Sequence, residues 1–179
     1  LCNNMGKLLV VGLCGPSGSG KSTQSQALAE ELRGGGGVSA TVLHADHYFH
    51  HPGPPPPYKE RGDMEGPETV DWARLAADMD ACAAKAPSAD GQTVLIVEGF
   101  LLLWCEEVVR RCGLLLFLRA GKEECLARRL ARNPDRDQGE REDLASYFER
   151  CVWPAYERYV EPVADRMSAE GGLREVAVD

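Results

Sequence analysis

No apolar run in this 179-residue chain approaches the roughly 18 residues that a membrane-spanning helix needs. The first apolar run, Leu8 to Leu13, reads as a strand, so no secretory leader is visible and no membrane partner is expected. Basic residues are in deficit: 20 Lys and Arg against 28 Asp and Glu leave a formal charge of -8. That balance argues against a nucleic-acid polyanion as the main partner, while leaving room for a local basic site that takes nucleotide phosphates. The seven cysteines (Cys2, Cys14, Cys82, Cys105, Cys112, Cys125, Cys151) show no C-x-x-C spacing. Their odd number and wide scatter fit reduced thiols in a cytoplasmic protein better than a disulfide frame or a zinc site. No internal repeat and no second compositional block interrupts the chain, so 1–179 reads as one domain with one buried core.

What the chain does have is Gly15-Pro16-Ser17-Gly18-Ser19-Gly20-Lys21-Ser22-Thr23, which fits G-x-x-x-x-G-K-[ST]. The motif needs a buried strand before it and a helix after it. Leu8-Leu9-Val10-Val11-Gly12-Leu13 supplies the strand, and Gln24 to Leu32, rich in Ala, Leu, Gln and Glu, supplies the helix. In that setting backbone N–H groups and the helix N-terminus converge on phosphate oxygens. Lys21 then reaches the β- and γ-phosphates and the Ser22 hydroxyl ligates Mg²⁺, which makes ATP and Mg²⁺ the expected cofactors. Cys14 abuts this loop, where it serves as a small packing residue or as an oxidation-sensitive thiol.

Gly34-Gly35-Gly36-Gly37 stops the first helix, and Val38 to His44 reads as a second strand with Asp46 just past its end. Ligands of open α/β sheets bind outside those strand ends, so Asp46 stands where chemistry can happen. Residues 50–67, with the run Pro54-Pro55-Pro56-Pro57, read as a surface excursion, or as a polyproline ligand for another domain. His47, His50 and His51 beside it lack a supporting carboxylate frame and read as loop histidines rather than a metal cluster. Asp71 to Lys85 carries Trp72, Leu75, Ala76, Met79 and Cys82 at helical spacing. Thr93 to Val97 is the third strand. Glu98 at its end occupies a Walker-B-like position beside Mg²⁺, or caps the next segment.

Trp104 to Arg111 can form a short helix, and Leu114 to Leu118 a fourth strand. Lys122 to Arg132 then reads as a helix in which i, i+4 spacing puts Arg128 and Arg132 on one face, with Arg129 about 100° away. These arginines could clamp phosphates on one face and meet an acceptor on the other, or they could form a solvated basic face. Asn133 to Gly139 is irregular and charged, as a mobile tip would be. Glu140 to Glu161 is helical with an interruption at Trp153-Pro154, and Glu175 to Val178 closes as a strand.

Taken together, the Gly15–Thr23 loop, Asp46-His47-Tyr48-Phe49, Val97-Glu98-Gly99-Phe100-Leu101-Leu102, Glu124-Cys125 with Arg128-Arg129, and Tyr147-Phe148 with Val152-Trp153-Pro154-Ala155-Tyr156 resemble the nicotinamide riboside kinases. These belong to the wider uridine-kinase group of P-loop kinases, and the similarity runs along nearly the whole chain in the same order. The resemblance implies an α/β, three-layer α/β/α P-loop kinase with a mostly parallel central sheet and a helical lid over about residues 122–145. It implies transfer of the ATP γ-phosphate to the 5′-hydroxyl of nicotinamide riboside, a step of NAD salvage. It makes Asp46 the base, near Mg²⁺. His47, Tyr48 and Phe49 line the substrate site with an aromatic against the nicotinamide ring, and Asp71, after Val70, binds the ribose hydroxyls. It assigns Arg128 and Arg132 to ATP and Arg129 to the substrate. The chain departs from the family at Asn133-Pro134, where the family's lid carries a tyrosine after its arginines, and at Asp179, about where the family has a loop touching adenine.

Overall fold

The computed structural model describes residues 8–50, 57–85 and 91–178. The proline run from Pro54 to Pro56 and His51, for which a surface excursion is expected, lie outside the described residues.

Five strands form one sheet in the order β2-β3-β1-β4-β5, every neighbouring pair parallel. The strands are β1 (Leu8–Cys14), β2 (Val38–His44), β3 (Gln92–Glu98), β4 (Leu114–Arg119) and β5 (Arg174–Ala177). The continuous apolar runs of β1 and β3 are those of central strands covered on both faces. The core divides accordingly. Leu95, Val97, Leu102 and Phe117 pack on one side with Leu75 and Met79. Val11, Val94 and Ile96 pack on the other with Ala29 of the first helix.

That helix, α1 (Lys21–Gly34), starts three residues earlier than composition suggests. Gly20, at φ 96°, turns the chain sharply into it, so Lys21 and Ser22 form its first turn. Asp71 is not inside α2 (Trp72–Ala84) but caps it, its carboxylate accepting the Arg74 N–H at 2.9 Å. The expected helix over Trp104–Arg111 is a 3₁₀ turn, Leu102–Trp104, followed by the one-turn α3 (Glu106–Val109). After β4 come α4 (Lys122–Ala131) and α5 (Gln138–Tyr147), the latter opened by a capping box between Asp137 and Glu140.

The largest departure from expectation is at Trp153-Pro154. Helical backbone continues straight through from α5 to α6 (Trp153–Ala155) and α7 (Glu161–Ala169), by way of two π turns, Phe148–Val152 and Tyr156–Val160. A proline ring meets the carbonyl four residues back, here that of Arg150. The widened turn around Arg150 accommodates the ring where a regular turn would not. Among the described residues no helix is long and apolar enough to cross a membrane.

Candidate functional site

The parallel register brings three strand ends together. Glu98 closes β3 level with Leu13 on one side and His44 on the other. The glycine loop leaves β1 here, and Asp46 follows β2 on a 3₁₀ turn, Ala45–Tyr48. A cavity of about 230 Å³ opens at this edge, and Lys21, Ser22, Asp46 and Glu98 all line it.

Glu98 is buried, and its Oε1 accepts two hydrogen bonds, from Ser22 Oγ at 3.0 Å and from His44 Nδ1 at 2.6 Å. The Gln26 amide nitrogen lies 3.3 Å from His44 Nε2 and can only donate, which leaves the imidazole hydrogen on Nδ1, pointed at Glu98. Lys21 is buried, and its Nζ donates to the Pro16 carbonyl at 3.0 Å. Burial lowers the Lys21 pKa, and the nearby carboxylates of Glu98 and Asp46 pull it back up. Cys14 beside the loop is fully buried, with its thiol on the Phe100 carbonyl at 3.3 Å. Burial raises its pKa, which makes it a packing residue rather than a reactive thiol.

The loop fits a phosphate group. Ser19 Oγ is completely buried with no hydrogen-bond partner, a polar atom left over inside the turn. Gly15, Gly18 and Gly20 hold φ of 151°, 99° and 96°, a run of backbone that side chains resist. The oxygen set of Ser22, Asp46 and Glu98 suits a hard cation such as Mg²⁺, which is usually held by one or two carboxylates plus substrate phosphates. Among the described residues no group of three or more His, Cys, Asp or Glu is placed to hold a metal alone. His47, expected beside the substrate, is exposed with its ring 5.3 Å from that of His44 and is not among the residues lining the cavity.

The arginines divide differently from the helical-wheel expectation. Arg129 and Arg132 share the cavity, Arg129 also donating to Ser17 Oγ. Arg128 instead pairs with Glu124 at 2.6 Å and reaches the Ser19 carbonyl at 3.4 Å. Residues three apart share a helix face as well as residues four apart, and α4 presents the 129/132 pair inward.

On the acceptor side Phe49 lines the cavity, but Tyr48 does not. Tyr48 points into the core at 6% exposure, donates to Asp78 at 2.7 Å, and has its pKa pushed up to about 12, first by burial and then by that bond. Val70 is buried and bridges to Phe49. Asp71 caps α2 and is not among the residues around the cavity, whose third carboxylate, besides those of Asp46 and Glu98, is that of Glu65. Sequence reasoning missed Glu65, Arg61, Phe100 and Tyr147. Glu65 and Arg61 follow a proline-rich stretch without periodicity. Tyr147 stands eighteen residues after Arg129, and only the fold returns it to the cavity.

Comparison with known proteins supports this picture. A family model described as an AAA domain matches residues 11–148. A uridine kinase from Deinococcus deserti is 31% identical over 95% of this chain and 91% of its own length. Another, from Ligilactobacillus salivarius, is 24% identical over 100% of this chain and 93% of its own. Among solved structures, a possible uridine kinase from Bacillus stearothermophilus superposes with TM-score 0.57 at 19% identity, covering 97% of this chain and 89% of that one. A gluconokinase from Sinorhizobium meliloti 1021 gives 0.56 at 18% identity, covering 98% and 84%. With the strand ends, glycine loop and inward arginines arranged as described, the chain belongs to the P-loop proteins of that AAA-domain family, and within them to the uridine-kinase-like P-loop kinases.

Proposed function

We propose that this chain transfers the γ-phosphoryl group of ATP to the 5′-hydroxyl of a ribonucleoside, with nicotinamide riboside as the acceptor. The observation that carries the reading is the single cavity that Asp46 shares with Lys21, Ser22 and Glu98. A primary hydroxyl is not ionised near neutral pH, so a carboxylate must orient it and take its proton, and in this reading Asp46, which lines the cavity, does so. Lys21, Arg129 and Arg132 meet the charge that spreads over the transferred phosphoryl oxygens. Ser22, with Asp46 and Glu98 close by, would hold Mg²⁺, which when bound neutralises charge on the donor phosphates. Glu65 takes the role that resemblance gives to Asp71: its two carboxylate oxygens match a vicinal ribose diol. Phe49 offers the aromatic face suited to a cationic pyridinium ring.

A second reading, uridine as the acceptor, is favoured by the 31% identity to a uridine kinase over nearly the whole chain. A panel of nicotinamide, nicotinic acid and pyrimidine ribosides, each with ATP and GTP, separates the two. The expected result is a kcat/KM for nicotinamide riboside at least about tenfold above that for uridine, the scale that one or two pocket contacts supply. The reverse order would replace the first acceptor by the second. No turnover with any nucleoside would remove the nucleoside-kinase reading itself.

The His44–Glu98 contact gives a further expectation. Outer-shell partners of metal-holding carboxylates are worth roughly 10- to 100-fold in metal affinity. His44→Phe should therefore raise the Mg²⁺ concentration needed for half-maximal ATP binding by about tenfold, while metal-free ATP binding stays as it was. Calorimetric ATP titrations at stepped Mg²⁺ concentrations measure this, and an unchanged midpoint would reduce the imidazole to a packing role.

A further inference from the structure

Tyr147 ends α5, the helix that follows the arginine-bearing α4, and it has no solvent exposure although it is among the residues lining the cavity. That hydroxyl donates to Glu65 Oε1 at 2.8 Å. The ring is also held by a cation–π stack. The Arg61 guanidinium lies 4.5 Å from the Tyr58 ring centroid and 5.2 Å from that of Tyr147, and the two rings are 5.6 Å apart. Tyr58, Arg61 and Glu65 belong to one short segment, so the stack buckles this segment onto α5 and brings its carboxylate into the cavity.

Glu65 has rivals for its charge. Burial raises its pKa most strongly, while the Tyr147 hydrogen bond and the nearby Arg129 and Arg61 pull it down. A carboxylate free to turn in this setting would swing onto a guanidinium, since a charge-assisted pair is stronger than a bond to a neutral hydroxyl. A phenol fixed by its packed ring prevents that. It takes one lone pair on Oε1 and leaves that oxygen's other lone pair and the second oxygen for an incoming ligand.

We propose that Tyr147 is a positioning residue for the acceptor: its hydroxyl aims the Glu65 carboxylate at a vicinal diol, and preference for a ribose over a 2-deoxyribose acceptor depends on that hydrogen bond. The inference rests on the nucleoside-kinase reading above, and it makes sugar recognition a property of α5 as well as of the segment that carries Glu65.

The test is Tyr147→Phe, assayed with a ribonucleoside that the wild type uses and with its 2′-deoxy counterpart. The expected result is a fall of about 10- to 100-fold in kcat/KM for the ribonucleoside, mainly through KM. The 2′-deoxy substrate, which has only its 3′-hydroxyl to offer the carboxylate, should lose less, about threefold at most, and the KM for ATP, which does not meet Glu65 in this reading, should change no more than that. The ribo-to-deoxy ratio therefore collapses. A variant that loses activity equally on both sugars, keeping the ratio, would overturn the inference, since damage to packing alone has that effect. Glu65→Gln separates the two levels. If it abolishes the ratio while Tyr147→Phe preserves it, positioning by Tyr147 fails and the diol reading stands. If it leaves the ratio intact, Glu65 does not meet the diol and both fail. Should Tyr147→Phe not fold, 3-fluorotyrosine at position 147 keeps ring and hydroxyl while changing donor strength. A shifted ratio then supports the inference and an unmoved one overturns it.

Discussion

Asp46→Asn is expected to keep ATP binding near the wild-type level and to lower kcat by two orders of magnitude or more. The size follows from what a positioned general base contributes, roughly 10²- to 10⁴-fold. Asparagine keeps the shape and one acceptor oxygen, so the loop, Lys21 and the Ser22–Glu98 pair should be undisturbed. What it removes is the capacity to take a proton from the attacking hydroxyl, together with one carboxylate of the oxygen set around Ser22. Steady-state kinetics with calorimetric ATP binding reads both quantities on one preparation. A kcat within about threefold of wild type would remove Asp46 from the base role. Loss of ATP binding in the variant, alongside a wild type that turns over no nucleoside, would point instead to a nucleotide-binding switch that phosphorylates nothing.

The phosphate half of the site was legible because its chemistry is local. Nine consecutive residues, a strand before them and a helix after them specify the loop. Asp46 and Glu98 could be placed from their positions just past apolar strands, since parallel strands in a wound sheet end on the same edge. The register then sets Glu98 beside His44. The acceptor half was not local. Glu65 sits in a stretch with neither helical nor strand period, and its partner Tyr147 is 82 residues away. Asp71 is given the ribose hydroxyls by the family resemblance alone; an acid at the start of a helix is also the signature of an N-cap, and the cap is the role that its geometry supports. Tyr48 and Phe49 are adjacent aromatics, and a sequence does not say which of two neighbours faces a cavity. A polar partner for the phenol, Asp78 on α2, draws Tyr48 inward. Helical continuity through Pro154 was hidden for a related reason, since proline signals a break unless the turn before it widens.

Gly18→Ala should damage this protein more than Gly20→Ala, although the two glycines have nearly the same φ, 99° and 96°. Both substitutions force an L side chain into left-handed backbone, a strain of about 1–2 kcal/mol. They differ in what the new methyl meets. At Gly20 nothing lies within 4 Å. At Gly18 the methyl would stand 2.4 Å from the Cys125 carbonyl oxygen and about as badly against that residue's other backbone atoms, at 2.9 and 3.0 Å. Cys125 is a buried residue of α4, so relief requires the whole helix to move away from the loop. That movement carries Arg129 off Ser17 and Arg128 off Ser19, the two contacts that set the arginines over the phosphate cradle. The expected cost for Gly18→Ala is about 3 kcal/mol or more, strain plus overpacking, against about 1–2 kcal/mol for Gly20→Ala. Misplacing charge-stabilising groups by around an ångström is worth on the order of 10²-fold in rate, so kcat/KM for ATP should fall by at least that much in Gly18→Ala. Urea unfolding of both variants with ATP-saturation kinetics provides the comparison. Equal destabilisation would mean that α4 does not press on the loop as closely as the 2.4 Å approach requires.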